Sequence, residues 1–307
     1  MFERLYNTVV DICLVEGVQI PQGWGEVVRQ EVIPLLDHPK LRHHTDIIQE
    51  RLDSFSRPIS IFVVGEGKFG KSTLINALAG QGQEIAKTDV LPLTWYITRY
   101  TMNRQESCYR IYYDTSQATA ENLEKICSSC QGKLVEKGIF GFPEWEDLQK
   151  ALNQEETITK KMNKRSSLRQ VIRTIPNATD ATLLDIVDTP GISQIRFASA
   201  SQETIEDFYY QADVVLWVMT ADKLNSKETR HSLESMSRYN KPIIGVINRA
   251  DNIPPNQKNV VISQAQEQYG KWLNEIVLVS AKNGFEALKS NDSEQWWESG
   301  LPALRVR

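Results

Sequence analysis

Gly65-Glu66-Gly67-Lys68-Phe69-Gly70-Lys71-Ser72 follows the run Ile59-Ser60-Ile61-Phe62-Val63-Val64 and leads directly into Thr73-Leu74-Ile75-Asn76-Ala77-Leu78-Ala79. A short β-branched run ending at glycine predicts a buried strand, and residues 71–79 predict a helix. The spacing GxxxxGK[ST] between them is that of a loop that wraps phosphate. Glycines let the backbone close around phosphate oxygens, while free amides and the helix N-terminus supply positive potential. Gly65, Gly67, Lys68, Phe69, Gly70, Lys71, Ser72 and Thr73 are therefore candidate binding residues. Lys71 would reach the β- and γ-phosphates, and the Ser72 hydroxyl would ligate Mg²⁺. A random chain of this length shows the pattern on the order of once in a hundred, so the flanking strand and helix make it specific.

Further β-branched runs lie at residues 183–187, 214–219, 243–247 and 276–279, with helical patterns at 201–211, 227–239 and 256–273. Strands alternating with helices predict an α/β fold with a mainly parallel sheet and helices on both faces. Ligands of such sheets bind beyond the carboxyl ends of the strands. Residues 103–174 read as an insertion holding a strand (108–113), two helices (118–129 and 143–163) and another strand (168–174). Before Pro58, apolar residues recur at helical spacing in Phe2, Leu5, Val9 and Ile12, and again in Val27, Val28, Val32 and Ile33. The expected domains are an N-terminal helical segment, 1–57, and a nucleotide domain, 58–307.

Three loops at strand ends complete the expected site. Asp188-Thr189-Pro190-Gly191 would place the Asp188 carboxylate on Mg²⁺ through a water and the Gly191 amide near the γ-phosphate. Asn248-Arg249-Ala250-Asp251 would let the Asp251 carboxylate accept from guanine N1 and its exocyclic amine. Adenine offers neither donor, so such a site rejects the wrong base by roughly 10⁴-fold. Ser280-Ala281-Lys282 would supply the Ala281 amide to the guanine carbonyl. Thr94, in Leu91-Pro92-Leu93-Thr94, is placed to close over Mg²⁺ when the γ-phosphate is present. The candidate catalytic residues are Lys68, Lys71, Thr94 and Gly191, and the candidate metal ligands are Ser72, Thr94 and Asp188.

In these motifs the chain resembles the P-loop GTPase superfamily, and GEGKFGKSTLINALAG, LPLTWYITRY and the long region before DTPG resemble the bacterial dynamin-like GTPases. The resemblance spans about residues 58–303. It implies a dynamin-type G domain that hydrolyses GTP to GDP and phosphate with Mg²⁺. It also implies a homodimer across the nucleotide face, and movement of helical elements associated with a membrane. Residues 1–57 would be the near half of a helical bundle, and the chain either part of a longer protein or a stalkless relative. Two positions depart from the superfamily pattern. Arg249 stands where lysine is usual, and its aliphatic stem can imitate the lysine beside the base. Ile192 stands where Ras-like enzymes carry the glutamine that orients water. The resemblance assigns that help to the phosphate loop at Lys68, which could neutralise charge between the β- and γ-phosphates or point to solvent.

Composition sets the remaining bounds. A net charge of −4 over 307 residues gives no general attraction to nucleic acid. This weighs against the alternative of an Era-like assembly switch, which would need a basic RNA-binding module. A nucleotide kinase or ATPase is opposed by Asp251. No apolar run reaches the roughly 18 residues of a membrane span and no signal peptide opens the chain, so a cytoplasmic protein, peripheral at most on a membrane, is expected. Cys127 and Cys130 form one CxxC without a second pair, which predicts reduced thiols on a helix rather than a zinc site. The run Lys160-Lys161-Met162-Asn163-Lys164-Arg165 reads as a solvated helix end, or else as a contact for an acidic partner.

Overall fold

The computed structural model describes residues 58–65, 68–80, 82–86, 96–103, 108–117, 119–162, 166–176, 184–189 and 211–305. The helices expected before Pro58 lie outside these residues, as do Gly67, Thr94, Gly191, Ile192, Cys13 and the segment 201–210. Among the described residues no helix is long and apolar enough to cross a membrane.

The strand before the phosphate loop is β1 (Ile59–Gly65), and helix α1 (Lys71–Ala79) follows it. On either side of β1 lie β7 (Leu184–Asp188) and β8 (Val214–Thr220), both parallel to it. Beyond β8 come β9 (Ile243–Asn248) and β10 (Glu275–Leu278), again parallel. This half matches the expected parallel sheet, and it brings the carboxyl ends of five strands to one edge.

The other half is mixed. β2 (Ile97–Asn103) runs antiparallel to β7 and parallel to β6 (Leu168–Pro176). β3 (Cys108–Tyr113) is antiparallel to β6 and to β5 (Ile139–Phe142), and β4 (Lys133–Glu136) closes the edge. The described strands thus form one sheet of ten, in the order β10-β9-β8-β1-β7-β2-β6-β3-β5-β4.

Alternation along the strands divides the core. Phe62, Val64, Val187, Val215, Trp217 and Met219 pack with Leu233 and Met236 of α4 (Lys227–Ser237) and Ala265 and Tyr269 of α5 (Lys258–Tyr269). The intervening positions Val63, Ile186, Leu216, Val218 and Val246 pack on the other face. They meet Leu74, Ile75 and Leu78 of α1 and Phe285 of α6 (Ala281–Ser290). Helices therefore cover both faces, as a buried parallel sheet requires. A third core lies in the insertion: Ile111, Tyr113, Phe140, Phe142 and Val171 pack with α2 (Ala120–Ser129) and with Leu148, Ala151 and Leu152 of α3 (Trp145–Met162). α7 (Ser293–Glu298) and α8 (Pro302–Arg305) end the described chain.

Cys127 and Cys130 are free thiols buried on or beside the end of α2. Burial and the neighbouring Cys130, Glu155 and Glu124 push the Cys127 thiol up to about 12, so it stays protonated. Among the described residues no cluster of histidine, cysteine, aspartate or glutamate could hold a metal ion by itself.

Candidate nucleotide site

Gly65 is the last residue of β1, and a Cβ there would stand 2.4 Å from the Val218 carbonyl oxygen on β8. Only glycine allows the chain to leave the sheet so close to its neighbour. Gly70 caps α1 at φ 83°, where a side chain would also meet the Asn248 Nδ2 atom at 2.5 Å. Between them Lys68 adopts φ 68°, a left-handed conformation uncommon outside glycine, and its side chain is exposed. The loop is thus built from unusual backbone at the N-terminus of a helix, where anions are held by amides.

Lys71 and Asp188 lie within electrostatic reach of each other beside this loop. Asp188 ends β7, paired with Val63 of β1, and shares its sheet face with Ile186 and hence with α1. Its carboxyl is buried, and Oδ1 has no hydrogen-bond partner among the described residues. Burial pushes the Asp188 carboxyl up to about 6, opposed by the Lys71 charge. Burial likewise pulls the Lys71 ammonium below its usual value, opposed by Asp188. Lys71 Nζ donates to the Gly65 carbonyl at 3.2 Å. Thr189 follows, with its hydroxyl donating to the Val63 carbonyl at 3.0 Å. Ser72 and Thr73 occupy the first turn of α1, both partly exposed. The site therefore pairs a cation with an unsatisfied buried carboxylate, beside a helix N-terminus and a serine hydroxyl. Ser72 and Asp188 are oxygen donors of the type that Mg²⁺ takes.

The loops expected to read the base meet the loop expected to hold phosphate through one side chain. Asn248 Nδ2 donates to the Phe69 carbonyl at 2.8 Å. Its Oδ1 accepts from the Arg249 amide at 2.8 Å and from the Ala281 amide at 3.0 Å. Asn248 is buried and thereby ties the loops after β1, β9 and β10 together. The Ala281 amide thus faces Asn248, a different use from the base contact expected of it.

Arg249 is left-handed at φ 63°, and its guanidinium donates to the Lys68 carbonyl. Ser280 caps α6 by accepting from the Asn283 amide at 3.3 Å, and its hydroxyl donates to Asp251 Oδ1 at 2.6 Å. Asp251 is itself exposed, with Oδ2 free of hydrogen-bond donors among the described residues. Lys282 is exposed beside it. Lys68, Lys71, Ser72, Asp188, Asn248, Arg249, Asp251 and Ser280 thus sit on adjoining loops at one edge of the sheet.

Three residues outside the sequence motifs also bear on the site. Asn76 of α1 accepts from the Ile85 and Ala86 amides at 2.8 and 2.7 Å and donates to the Ala86 carbonyl at 2.8 Å. Tyr100 of β2 is buried, and burial together with Asp188 keeps its hydroxyl well above its usual value. Tyr96 is raised by the same two causes, burial first. A polar residue on the apolar face of α1 was the available clue to Asn76; nothing in sequence spacing marks the tyrosines.

The Dynamin family model matches residues 61–250. Dynamin-like protein 2 of Campylobacter jejuni subsp. jejuni is 19% identical over 260 residues, covering 84% of this chain and 36% of that protein. The probable transmembrane GTPase FZO-like, chloroplastic, of Arabidopsis thaliana is 24% identical over 272 residues, covering 87% and 24%. The chain spans only about a quarter to a third of the length of these curated relatives. A solved structure of an oligomerised bacterial dynamin pair, described as sensing and tethering membranes, superposes with a TM-score of 0.58 at 16% identity. That likeness covers 99% of this chain and 42% of the other, and it shows the shared fold. With the family model covering most of the sheet and the loops at its edge, the chain belongs to the dynamin family of GTPases.

Proposed function

We propose that the chain binds GTP at this sheet edge and hydrolyses it to GDP and phosphate. The observation that carries the reading is Asn248, which holds the phosphate loop and both base-reading loops on one buried amide. With those loops joined, Lys71 and the α1 amides serve the phosphate end, and Asp251 serves the base. The Asp251 carboxylate, oriented by Ser280, accepts from the two donors on the guanine edge. Gly65, Gly67 and Gly70 let the backbone amides close on the phosphates.

Ser72 and Asp188 are the residues that would hold Mg²⁺, with Thr94 as the further ligand implied by the family. The metal would supply charge neutralisation between the β- and γ-phosphates. The unsatisfied buried oxygen of Asp188 fits this role, since a carboxylate without a donor is costly unless a cation meets it. Gly191 contributes a backbone amide toward the γ-phosphate. Lys68 is held in a left-handed conformation, and its exposed ammonium can stand where negative charge grows in the transition state. Arg249 supports it by fastening the Lys68 carbonyl.

The family and the bacterial dynamin pair support a further step: dimerisation across the nucleotide face, which moves helical elements at a membrane. Residues 1–57 are then the first of those elements. Phosphate release measured per protein molecule over a wide range of protein concentration tests this reading. Turnover that rises with concentration is expected. Turnover per molecule that stays constant would instead favour a switch acting as a monomer. Lys68→Ala should lower turnover more than nucleotide affinity, and equal turnover in the two proteins would remove Lys68 from the mechanism.

A further inference from the structure

Trp145, Arg173, Ile85 and Asn76 form an unbroken line of contacts from the insertion to the helix that carries the phosphate loop. Trp145 opens α3, and the Arg173 guanidinium lies over its ring, 4.6 Å from the centroid. Tyr109 of β3 meets the same ring at 5.8 Å, so the indole is held between two elements of the insertion. Arg173, on β6, donates to the Ile85 carbonyl at 2.5 Å. The Ile85 and Ala86 amides are in turn gripped by Asn76, which is wholly buried on α1. Asn76 stands about one turn beyond Lys71 and Ser72 on the same helix.

A second path runs through the sheet. Arg173 pairs with Tyr100 in the β2–β6 ladder. Tyr100 lies within electrostatic reach of both Arg173 and Asp188. Arg173 therefore bonds the α1 side of the site through Ile85 and neighbours, across the β2–β6 ladder, Tyr100, which lies within electrostatic reach of Asp188 on the other side. A partly buried guanidinium bonded to a carbonyl and stacked on an indole has a fixed orientation, because its planar donors and its face are both engaged.

We propose that Arg173 is a positioning residue of the phosphate site and couples nucleotide occupancy to the insertion, with Trp145 at the receiving end. The proposal rests on the nucleotide reading given above. Packed elements shift as units rather than deform, so a small displacement of α1 or β7 on phosphate binding is carried to the guanidinium and its stacked ring. The coupling is reciprocal: whatever engages the insertion around α3 changes nucleotide affinity by the same factor.

Intrinsic fluorescence of the full chain tests it. The protein has seven tryptophans, and the difference between wild type and Trp145→Phe isolates the Trp145 signal. Titration with GDP, and with a non-hydrolysable GTP analogue plus Mg²⁺, is expected to shift that component. Arg173→Ala is expected to lose the shift and to change nucleotide affinity roughly 2- to 30-fold. Arg173→Lys keeps a donor for the Ile85 carbonyl but lacks the planar stack, so it should restore affinity without restoring the shift. A Trp145 signal that ignores bound nucleotide in the wild type overturns the proposal, and this comparison stands even if Arg173→Ala fails to fold. A folded Arg173→Ala protein with unchanged shift and affinity overturns it as well. A parallel titration with a labelled guanine nucleotide separates the two claims: no binding by wild type would refute the nucleotide reading itself and this inference with it.

Discussion

Asp188 and Lys71 occupy positions that neither would hold cheaply alone. Asp188 is buried and Lys71 half-buried, each is the opposing charge that partly offsets the other's desolvation, and one carboxylate oxygen still lacks a donor. Under the proposed function the pair awaits a charged ligand, and its cost should show when none is bound. An unfolded aspartate titrates near 3.9, roughly, whereas Asp188 is raised to about 6. The native state therefore binds the extra proton between those values, and stability falls as pH rises through that window. Without nucleotide or Mg²⁺, wild type is expected to lose up to about 3 kcal/mol between pH 4 and 7 from this group. Asp188→Asn should lose that component of the pH dependence, and parallel thermal-denaturation curves for the two proteins would contradict the assignment. Asn248 makes a second residue-scale prediction. Asn248→Ala removes three hydrogen bonds at a buried junction. Destabilisation of roughly 2–4 kcal/mol is expected by thermal denaturation, with guanine-nucleotide affinity falling more than tenfold. The placement of Lys71, Ser72, Asp188 and Asp251 at one edge of the sheet was legible in sequence because each stands at fixed spacing from a glycine or a strand end. The bracing role of Asn248 was not legible, since its partners lie 33 and 179 residues away.

Among the elements, the five parallel strands were legible for a physical reason: a strand buried on both faces reads as a continuous apolar run. β2 is not legible in sequence because Ile97-Thr98-Arg99-Tyr100-Thr101-Met102-Asn103 mixes polar residues into positions that the structure buries. Thr98 is buried, and Arg99 is largely covered while paired with Asp185 at 2.8 Å. The β4–β5 hairpin is illegible for the opposite reason, as β4 is four exposed residues with no inward face to give a pattern. α6 was hidden by the short Ser280-Ala281-Lys282 motif that opens it. The Arg99 pair shows what holds the antiparallel strand to the parallel half. Arg99 also donates to Gln211 at 2.9 Å and to the Ser60 hydroxyl at 3.4 Å, so one guanidinium joins β2, β7 and β1. Arg99→Ala leaves the buried Asp185 carboxylate without its cation. Chemical denaturation is expected to show a loss of about 3 kcal/mol, and a loss below about 0.5 kcal/mol would mean that solvent already screens the pair.

At the scale of the molecule, the described chain is one sheet with two kinds of edge. The parallel half carries the loops proposed to meet nucleotide, and the mixed half carries the insertion with its own core. The tie between them is β2, which pairs with β7 on one side and β6 on the other. Under the proposed function, this arrangement lets the phosphate end and the base end of one nucleotide be served by separate loops. It also makes specificity for guanine separable from affinity for triphosphate. Replacing Lys71 should weaken every nucleoside triphosphate alike, whereas replacing Asp251 should change which base is accepted. The most direct measurement is therefore competition binding of GTP, ATP and XTP to wild type and Asp251→Asn. Wild type is predicted to prefer GTP over ATP by roughly 10⁴-fold. The variant is predicted to lose most of its GTP affinity and to gain affinity for XTP, whose extra carbonyl suits an amide donor. An Asp251→Asn protein with unchanged preference for GTP would contradict the account.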